Sequence, residues 1–290
     1  MNFSNEPAFY QWKPAACLQV TGDDALSFLQ GQFTNDLHQD VKGGAVYGLW
    51  LNQKGKVLAD SFVRKISDRE AWIVSYFSPA AVIRERLEAY IIADDVVIAD
   101  VTESMAGLTV FGAAVDPGAG DSRWSFAGRR TRDPHTEIIF PVSAGTGLSA
   151  PPAGGVARSA GQMEWKRIAA GIPAVPADIG PADLPNEGGL ETEAISYTKG
   201  CYLGQEVMAR LKTMGQVRRQ LIRVRGTGEP PPRATVLYQG ERKAGELRST
   251  AREGAEWIGF ALVALTQLRR DQGLAVTPGG APAISVGDTP

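Results

Sequence analysis

The residues 199–206, Lys-Gly-Cys-Tyr-Leu-Gly-Gln-Glu, set one of the chain's two cysteines between glycines and ahead of a helix-like pattern. Leu203, Val207 and Leu211 recur at i, i+4 and i+8, which predicts one apolar stripe on a helix and places Cys201 at or near its start. A thiol there feels the positive end of the helix dipole and the ammonium of Lys199, and both favour the nucleophilic thiolate. Gly200 and Gly204 leave room for a substrate or a partner's backbone to approach the sulfur. The competing reading of a lone cysteine is a small buried hydrophobe, and spacing alone leaves it open.

A second candidate lies on a hairpin. The runs 44–52 and 56–65 are β-like and are joined by Asn52-Gln53-Lys54-Gly55, a turn composition. Strict alternation puts Leu58, Asp60 and Phe62 on one face and Val57, Ala59, Ser61 and Val63 on the other. Asp60 is then either at a solvated sheet edge or in a cleft, where partial desolvation raises its pKa as a general base or amine-binding group requires.

These residues must be positioned by a mixture of strands and amphipathic helices. Strands are expected at 15–20, 71–77, 96–101, 108–111 and 136–140. Cys17 alternates with apolar neighbours and reads as core. A short helix is expected around Ala25, Leu26 and Leu29. A second helix is announced by Ser78-Pro79 and runs to about Ile91, and a third spans 162–170. The stretches 113–121 and 143–155 read as loops, and 171–190, rich in proline and glycine, as an extended crossing that delivers the chain to Cys201. Without strict β-α alternation the fold class is α+β, not a doubly wound sheet. After Met214, strand-like runs at 217–224, 234–239, 243–250 and 257–263 predict a small β-barrel or sandwich. The expected domains are therefore 1–212, with a subdivision near 113–122, and 213–290.

Composition narrows the function. With 43% hydrophobic and 21% charged residues in 290, the chain can bury a sizeable core, and a net charge of −2 argues against a general polyanion binder. Direct nucleic-acid binding is not expected; the basic stretch Lys212, Arg218, Arg219, Arg223 and Arg225 reads as a solvated strand face. Two distant cysteines and two histidines offer neither a disulfide framework nor a resident metal site. Phosphate-binding Gly-Lys-Ser/Thr loops, dinucleotide fingerprints and Ser-His-Asp order are absent, which removes kinases, nicotinamide enzymes and serine hydrolases. No signal peptide or run long enough to span a bilayer is present, so a cytoplasmic, non-membrane monomer is expected.

The 199–206 string resembles the signature of the folate-binding YgfZ family, relatives of the glycine-cleavage T-protein (aminomethyltransferase). Weaker similarity continues through Phe28-Leu29-Gln30, Thr34-Asn35-Asp36-Leu37, Leu51 to Asp60, and Arg167 to Pro173. The resemblance implies a folate-binding α+β domain followed by a small barrel. The implied cofactor is tetrahydrofolate or a one-carbon derivative, and the implied partners are iron–sulfur proteins or their assembly factors, met transiently. The implied role is support of iron–sulfur cluster assembly or repair and, through it, tRNA modification. It places Asp60 where the transferase branch keeps its catalytic aspartate, and Glu137 about where a carboxylate holds the pterin ring. Cys201 and Lys199 become the reactive pair, with Tyr202, Gln205 and Glu206 orienting the loop near the folate. It also implies a departure, since the folate-binding arginine of the transferase branch is matched here by Met163. Two alternatives follow from the same kinship: an aminomethyltransferase proper, and a non-catalytic folate sensor or scaffold.

Overall fold

The computed structural model describes residues 7–39, 44–112, 124–142, 155–215, 217–266 and 268–289. The stretch 113–121, most of 143–155 and the subdivision expected near 113–122 lie outside the described residues.

Three five-stranded sheets carry the fold. The first is antiparallel and runs β3 (Val46–Leu51), β4 (Val57–Ser67), β5 (Glu70–Ser75), β2 (Ala16–Thr21), β6 (Val97–Asp100). Helices α1 (Ala25–Gln32) and α2 (Ala80–Glu88) cover one face, where Leu18, Val20, Trp50 and Ile73 meet Leu26, Leu29, Ile83 and Leu87. Each such large apolar side chain taken out of water contributes about 1.5–3 kcal/mol.

The opposite face of this sheet packs on the second, which runs β10 (Val156–Ala157), β1 (Ala8–Trp12), β7 (Met105–Phe111), β9 (His135–Pro141), β8 (Trp124–Ala127). Cys17, Phe62 and Val74 there meet Trp12, Trp124, Phe126 and Ile139. Cys17 is fully buried, and burial followed by the nearby Asp100 charge pushes its thiol up to about 12, so it is an inert core residue as its neighbours predict.

The third sheet is a curled half-barrel: β12 (Val236–Gln239), β13 (Arg242–Glu253), β14 (Glu256–Ala264), β11 (Arg219–Thr227), β15 (Ser285–Val286). Ile222, Leu237, Leu247, Trp257 and Val263 fill its inside. Leu221, Phe260 and Leu262 join Leu49, Leu51, Val57, Ile168 and Val175 in a core shared with the first sheet. Helix α3 (Ala160–Ala169) lies against β13 and β14, its start fixed by a reciprocal pair of bonds between Ser159 and Gln162. The α+β class with a C-terminal barrel-like unit is therefore the observed architecture. No helix among the described residues is long and apolar enough to cross a membrane.

Three local expectations change. Strict alternation on β4 fails because Leu51 pairs with Val57 while Trp50 pairs with Ala59, leaving Leu58 as the extra residue of a bulge. Val57 thereby shares a face with Asp60 and Phe62. Ser78 does not cap α2, whose N-cap is Pro79; its hydroxyl is taken by Asp60. Helix α5 (Gln205–Met214) begins later than the apolar stripe suggested, with Gly204 as N-cap at φ +87°. A side chain there would be strained by that φ and would bring its Cβ to 3.0 Å from the Asn52 carbonyl.

Candidate functional site

A cavity of about 350 Å³ opens between the end of β5, β1, the segment after β8 and α3. Tyr10, Tyr76, Phe77 and Met163 give it an apolar and aromatic wall, and Arg129, Arg130 and Arg167, with Glu164 paired to Arg167, give it a charged one. Such a cavity suits a flat ligand that carries negative charge.

Asp60 lies behind this wall, 5% exposed. Ser75 and Ser78 each donate a hydroxyl to Oδ1 at 3.1 and 2.8 Å, and Tyr47 donates to Oδ2 at 3.0 Å. Ser75 and Ser78 flank Tyr76 and Phe77, so the pair that walls the cavity is held by the two hydroxyls that hold the carboxylate. Burial raises the Asp60 pKa, and the hydrogen bonds from Ser78, Tyr47 and Ser75 and the Arg129 charge only partly offset it. Burial sets aside the solvated-edge reading of Asp60, while Asp60 is not among the residues that line the cavity either.

That shift has a measurable consequence. A carboxyl whose folded pKa is raised contributes stability that is fully present below the unfolded value, 3.8, and is lost as pH rises through the folded pKa. Asp60→Asn keeps a carbonyl for Tyr47 and offers an amide to the rotatable hydroxyls of Ser75 and Ser78. The variant is expected to melt above the parent protein at pH 7, with the gap closing as pH falls toward the unfolded value. A gap equal at both ends of that range would show that Asp60 does not titrate with folding.

Glu137 is fully buried on β9. Its Oε1 accepts from Tyr76 at 3.0 Å and from Arg130 Nε at 3.1 Å, and Oε2 accepts from Thr109 at 2.8 Å. Protein donors occupy both oxygens, and the side chain does not line the cavity. The expectation of a carboxylate presented directly to a pterin is corrected on this point: Glu137 holds Arg130 and Tyr76, and those two face the cavity. The Arg130 guanidinium is stacked at 3.9 Å from the Tyr76 ring centre and 4.3 Å from that of Trp12. Arg129 links the two carboxylates. Its backbone N–H donates to the Tyr76 hydroxyl at 3.2 Å, and its guanidinium lies 4.4 Å over Tyr47, which holds Asp60.

Met163 stands in the cavity wall as the departure at this position anticipates, but one turn later on α3 Arg167 enters the same wall. Arg167 is bound at 2.7 Å to buried Asp178 and at 2.9 Å to Glu164, and donates to the Ile172 carbonyl at 2.6 Å. Its pKa is raised; burial opposes the charge but Asp178 and Glu164 outweigh it. Sequence reasoning missed Arg167, Arg129, Arg130, Tyr76 and the Ser75/Ser78 pair. The one available signal was the spacing of two serines around two aromatics at a strand end.

The motif lies elsewhere. Cys201 is exposed, four residues ahead of the first residue of α5, and lines neither this cavity nor the other two found among the described residues. Cys201 is thus near a helix start, and the expectation that it faces this cavity or its rim is corrected, since it is absent from the wall. Lys199 is buried and directs its ammonium at three backbone carbonyls, Gln30 at 2.6 Å, Phe33 at 2.7 Å and Asn35 at 3.0 Å. Burial lowers its pKa to about 8, against the pull of the Asp36 charge, while one carbonyl for each N–H favours the ammonium. Its observed work is to tie the loop to the segment after α1. Tyr202 is buried with its ring centre 5.4 Å from the Lys199 nitrogen, whereas Glu206 pairs with Arg210 on the surface. Tyr202, Gln205 and Glu206 are all absent from the cavity wall.

The basic stretch is partly spent on structure. Arg219 binds Glu187 and Asp183, and Arg223 donates to the Ala169 carbonyl at 2.6 Å, stapling the half-barrel to the 171–190 crossing and α3.

Comparison with known proteins agrees with this architecture. A model of the GCVT N-terminal domain matches residues 8–116, and one of the CAF17 C-terminal beta-barrel domain matches residues 218–287. The human mitochondrial protein named iron-sulfur cluster assembly factor IBA57 is 29% identical over 271 residues, covering 85% of this chain and 74% of its own length. The tRNA-modifying protein YgfZ of Edwardsiella ictaluri is 27% identical over 242 residues, covering 77% of this chain and 72% of its own. The glycine cleavage system aminomethyltransferase T from Bartonella henselae superposes with a TM-score of 0.79 over 98% of this chain and 85% of that one, at 16% identity, a likeness of fold. With a GCVT N-terminal domain and a CAF17 C-terminal beta-barrel domain matched in order, the chain is similar to the IBA57 and YgfZ proteins and shares the fold of aminomethyltransferase T.

Proposed function

We propose that this protein binds tetrahydrofolate, or a one-carbon derivative of it, and supports iron–sulfur cluster assembly or repair, and thereby tRNA modification, through Cys201. The observation that carries the folate half is the cavity itself. Its aromatic wall matches a flat bicyclic ring, and Arg129, Arg130 and Arg167, each anchored by a carboxylate of the protein, Glu193, Glu137 and Asp178 in turn, would share their guanidinium groups with the carboxylates of a glutamate tail. Asp60 and Glu137 act from behind, fixing the wall residues in place instead of touching the ring. The thiol half rests on Cys201 being exposed on a loop that Lys199 anchors. Its partners, iron–sulfur proteins or their assembly factors, meet it at the surface, apart from the cavity.

Calorimetric titration of the purified protein with tetrahydrofolate tests the first half. Saturable binding is expected, weakened by about 1–3 kcal/mol in Arg129→Ala, the scale for a lost partner to a charged group. A parent protein that gives no saturable heat refutes it. Cys201→Ser tests the second half. As an exposed substitution it is expected to change stability by less than about 0.5 kcal/mol and to leave folate binding intact. It should nevertheless fail to restore iron–sulfur enzyme activity in cells lacking the protein; full restoration removes the thiol from the mechanism.

One observation favours a second reading. The raised pKa of Asp60 and its three hydroxyl partners are what an aminomethyl transfer to folate asks of an assisting carboxylate. Formation of methylene-tetrahydrofolate from an aminomethylated donor, lost in Asp60→Asn, would establish it.

A further inference from the structure

The function proposed above uses a cavity and a thiol that lie apart, and Asn35 touches the supports of both. Its side-chain amide donates to two backbone carbonyls, that of Tyr47 at 2.8 Å and that of Glu193 at 3.1 Å. Both residues hold Arg129 in the cavity wall. The guanidinium lies 4.4 Å over the Tyr47 ring, and its Nε donates to Glu193 Oε2 at 2.7 Å. The Arg129 side chain keeps 12% of its surface exposed and lines the cavity, so a ligand there can reach it. Asn35 also offers its own backbone carbonyl to the Lys199 ammonium at 3.0 Å, two residues before Cys201. Thr34 binds the same parts together. Its hydroxyl donates to the Ala194 carbonyl at 2.6 Å and its carbonyl accepts from the backbone N–H of Ser196 at 3.0 Å, which ties α4 (Glu191–Ala194), the helix that carries Glu193, to this segment. Contact thus runs from Arg129 through Glu193 and Tyr47 to Asn35, and from Asn35 through Lys199 to the thiol loop.

We propose that Asn35 is a positioning residue through which occupancy of the cavity sets the reactivity of Cys201. The inference rests on the folate reading and names how that site is regulated. A ligand carboxylate drawn to Arg129 takes a share of the guanidinium that Glu193 holds. Glu193 is then held less firmly, Asn35 loses a fixed acceptor for its amide, and the carbonyl that Asn35 offers Lys199 shifts with it. The loop is freed, and Cys201 meets its partner more readily when the cavity is filled.

Alkylation of the native full chain by iodoacetamide tests the assignment, because the other cysteine, Cys17, is fully buried and reports loss of the fold in the same sample. Without ligand, Arg129→Ala and Asn35→Ala are each expected to raise the Cys201 rate about threefold or more, toward the low end of coupling within one hydrogen-bond network. The double variant should react no faster than Asn35→Ala alone, since the connection is already cut. Glu193→Gln, which keeps the size of the side chain, should give a smaller rise that also vanishes beside Asn35→Ala, and it replaces Arg129→Ala in the comparison if that variant does not fold. Saturating tetrahydrofolate should speed Cys201 in the parent protein and not in Asn35→Ala, although calorimetry shows both to bind it. Rate increases that multiply in the double variant overturn the proposal, as does a Cys201 rate that rises only in step with Cys17. Tetrahydrofolate that binds saturably and leaves Cys201 at its unliganded rate also overturns it, while the folate reading stands. A protein that binds no tetrahydrofolate refutes the folate reading instead, and the ligand-free double variant then decides the coupling by itself.

Discussion

Replacing Arg167 by alanine is expected to destabilise the protein by about 3–5 kcal/mol, the cost of stranding a buried charge whose partner is removed. The charge stranded is Asp178, fully buried, which also accepts from the backbone N–H of Ala174 at 2.8 Å and of Ser249 at 2.9 Å. Ser249 belongs to β13, so this carboxylate joins the 171–190 crossing to the half-barrel, and Arg167 joins both to α3. Urea unfolding should show a lower midpoint with an unchanged slope. A drop below about 1 kcal/mol would mean that water or a neighbouring side chain takes over the vacated place. In the double variant Arg167→Met with Asp178→Asn, the two losses should fall well short of adding, since the second change removes the charge that the first leaves uncompensated. The same cavity wall would lose a cation, so the folate binding proposed above should weaken in parallel.

Glu137→Ala has the second largest expected effect, again about 3–5 kcal/mol, but for the opposite sign of charge. Here the group left behind is the Arg130 guanidinium, buried among Tyr10, Trp12 and Tyr76, with Nε stripped of the one carboxylate that pairs with it among the described residues. Thr109 and Tyr76 lose their acceptor in the same step. Glu137→Gln separates charge from hydrogen bonding. Its carbonyl still accepts from Tyr76 and Arg130, and its amide can donate to the Thr109 hydroxyl, so a loss of about half that of the alanine variant is expected. Equal losses from the two substitutions would place the whole effect in the countercharge. Both variants should retain a native circular dichroism spectrum at low temperature, because the residue lies in the middle of a ladder whose backbone bonds they leave untouched.

The architecture was largely legible in the sequence because alternating and helical patterns report on burial, and burial is what the sheets and helices settle. Cys17, the 162–170 helix and the strands after Met214 read correctly for that reason. The site was less legible. Asp60 could be placed on a strand, but its hydroxyl partners come from 13, 15 and 18 residues away. Ser78 looked like a helix cap because Ser-Pro before an apolar stripe has that chemistry, yet a buried carboxylate outcompetes a helix end for the hydroxyl. Glu137 read as a ligand group since nothing local shows that Arg130 and Thr109 already occupy it. Lys199 read as an activator of Cys201 from proximity in sequence, whereas three carbonyls some 165 positions earlier decide where its ammonium goes. Pairings of this kind are fixed by topology, and single-residue spacing carries no trace of them.

The extra residue on β4 works as a phase change. Val57 and Asp60 are three positions apart, an odd number, yet they face the same way only because Leu58 is left without a counterpart. The turn end of the hairpin, where Asn52 meets Gly204 of the motif loop, is therefore written in one parity and the carboxylate in the other. Lengthening the facing strand by a single codon between Trp50 and Leu51 would give Leu58 a counterpart and make the ladder more regular, and yet rotate one half of it by half a turn. Either the acid or the seat of the thiol loop would then point at the helices that cover the sheet.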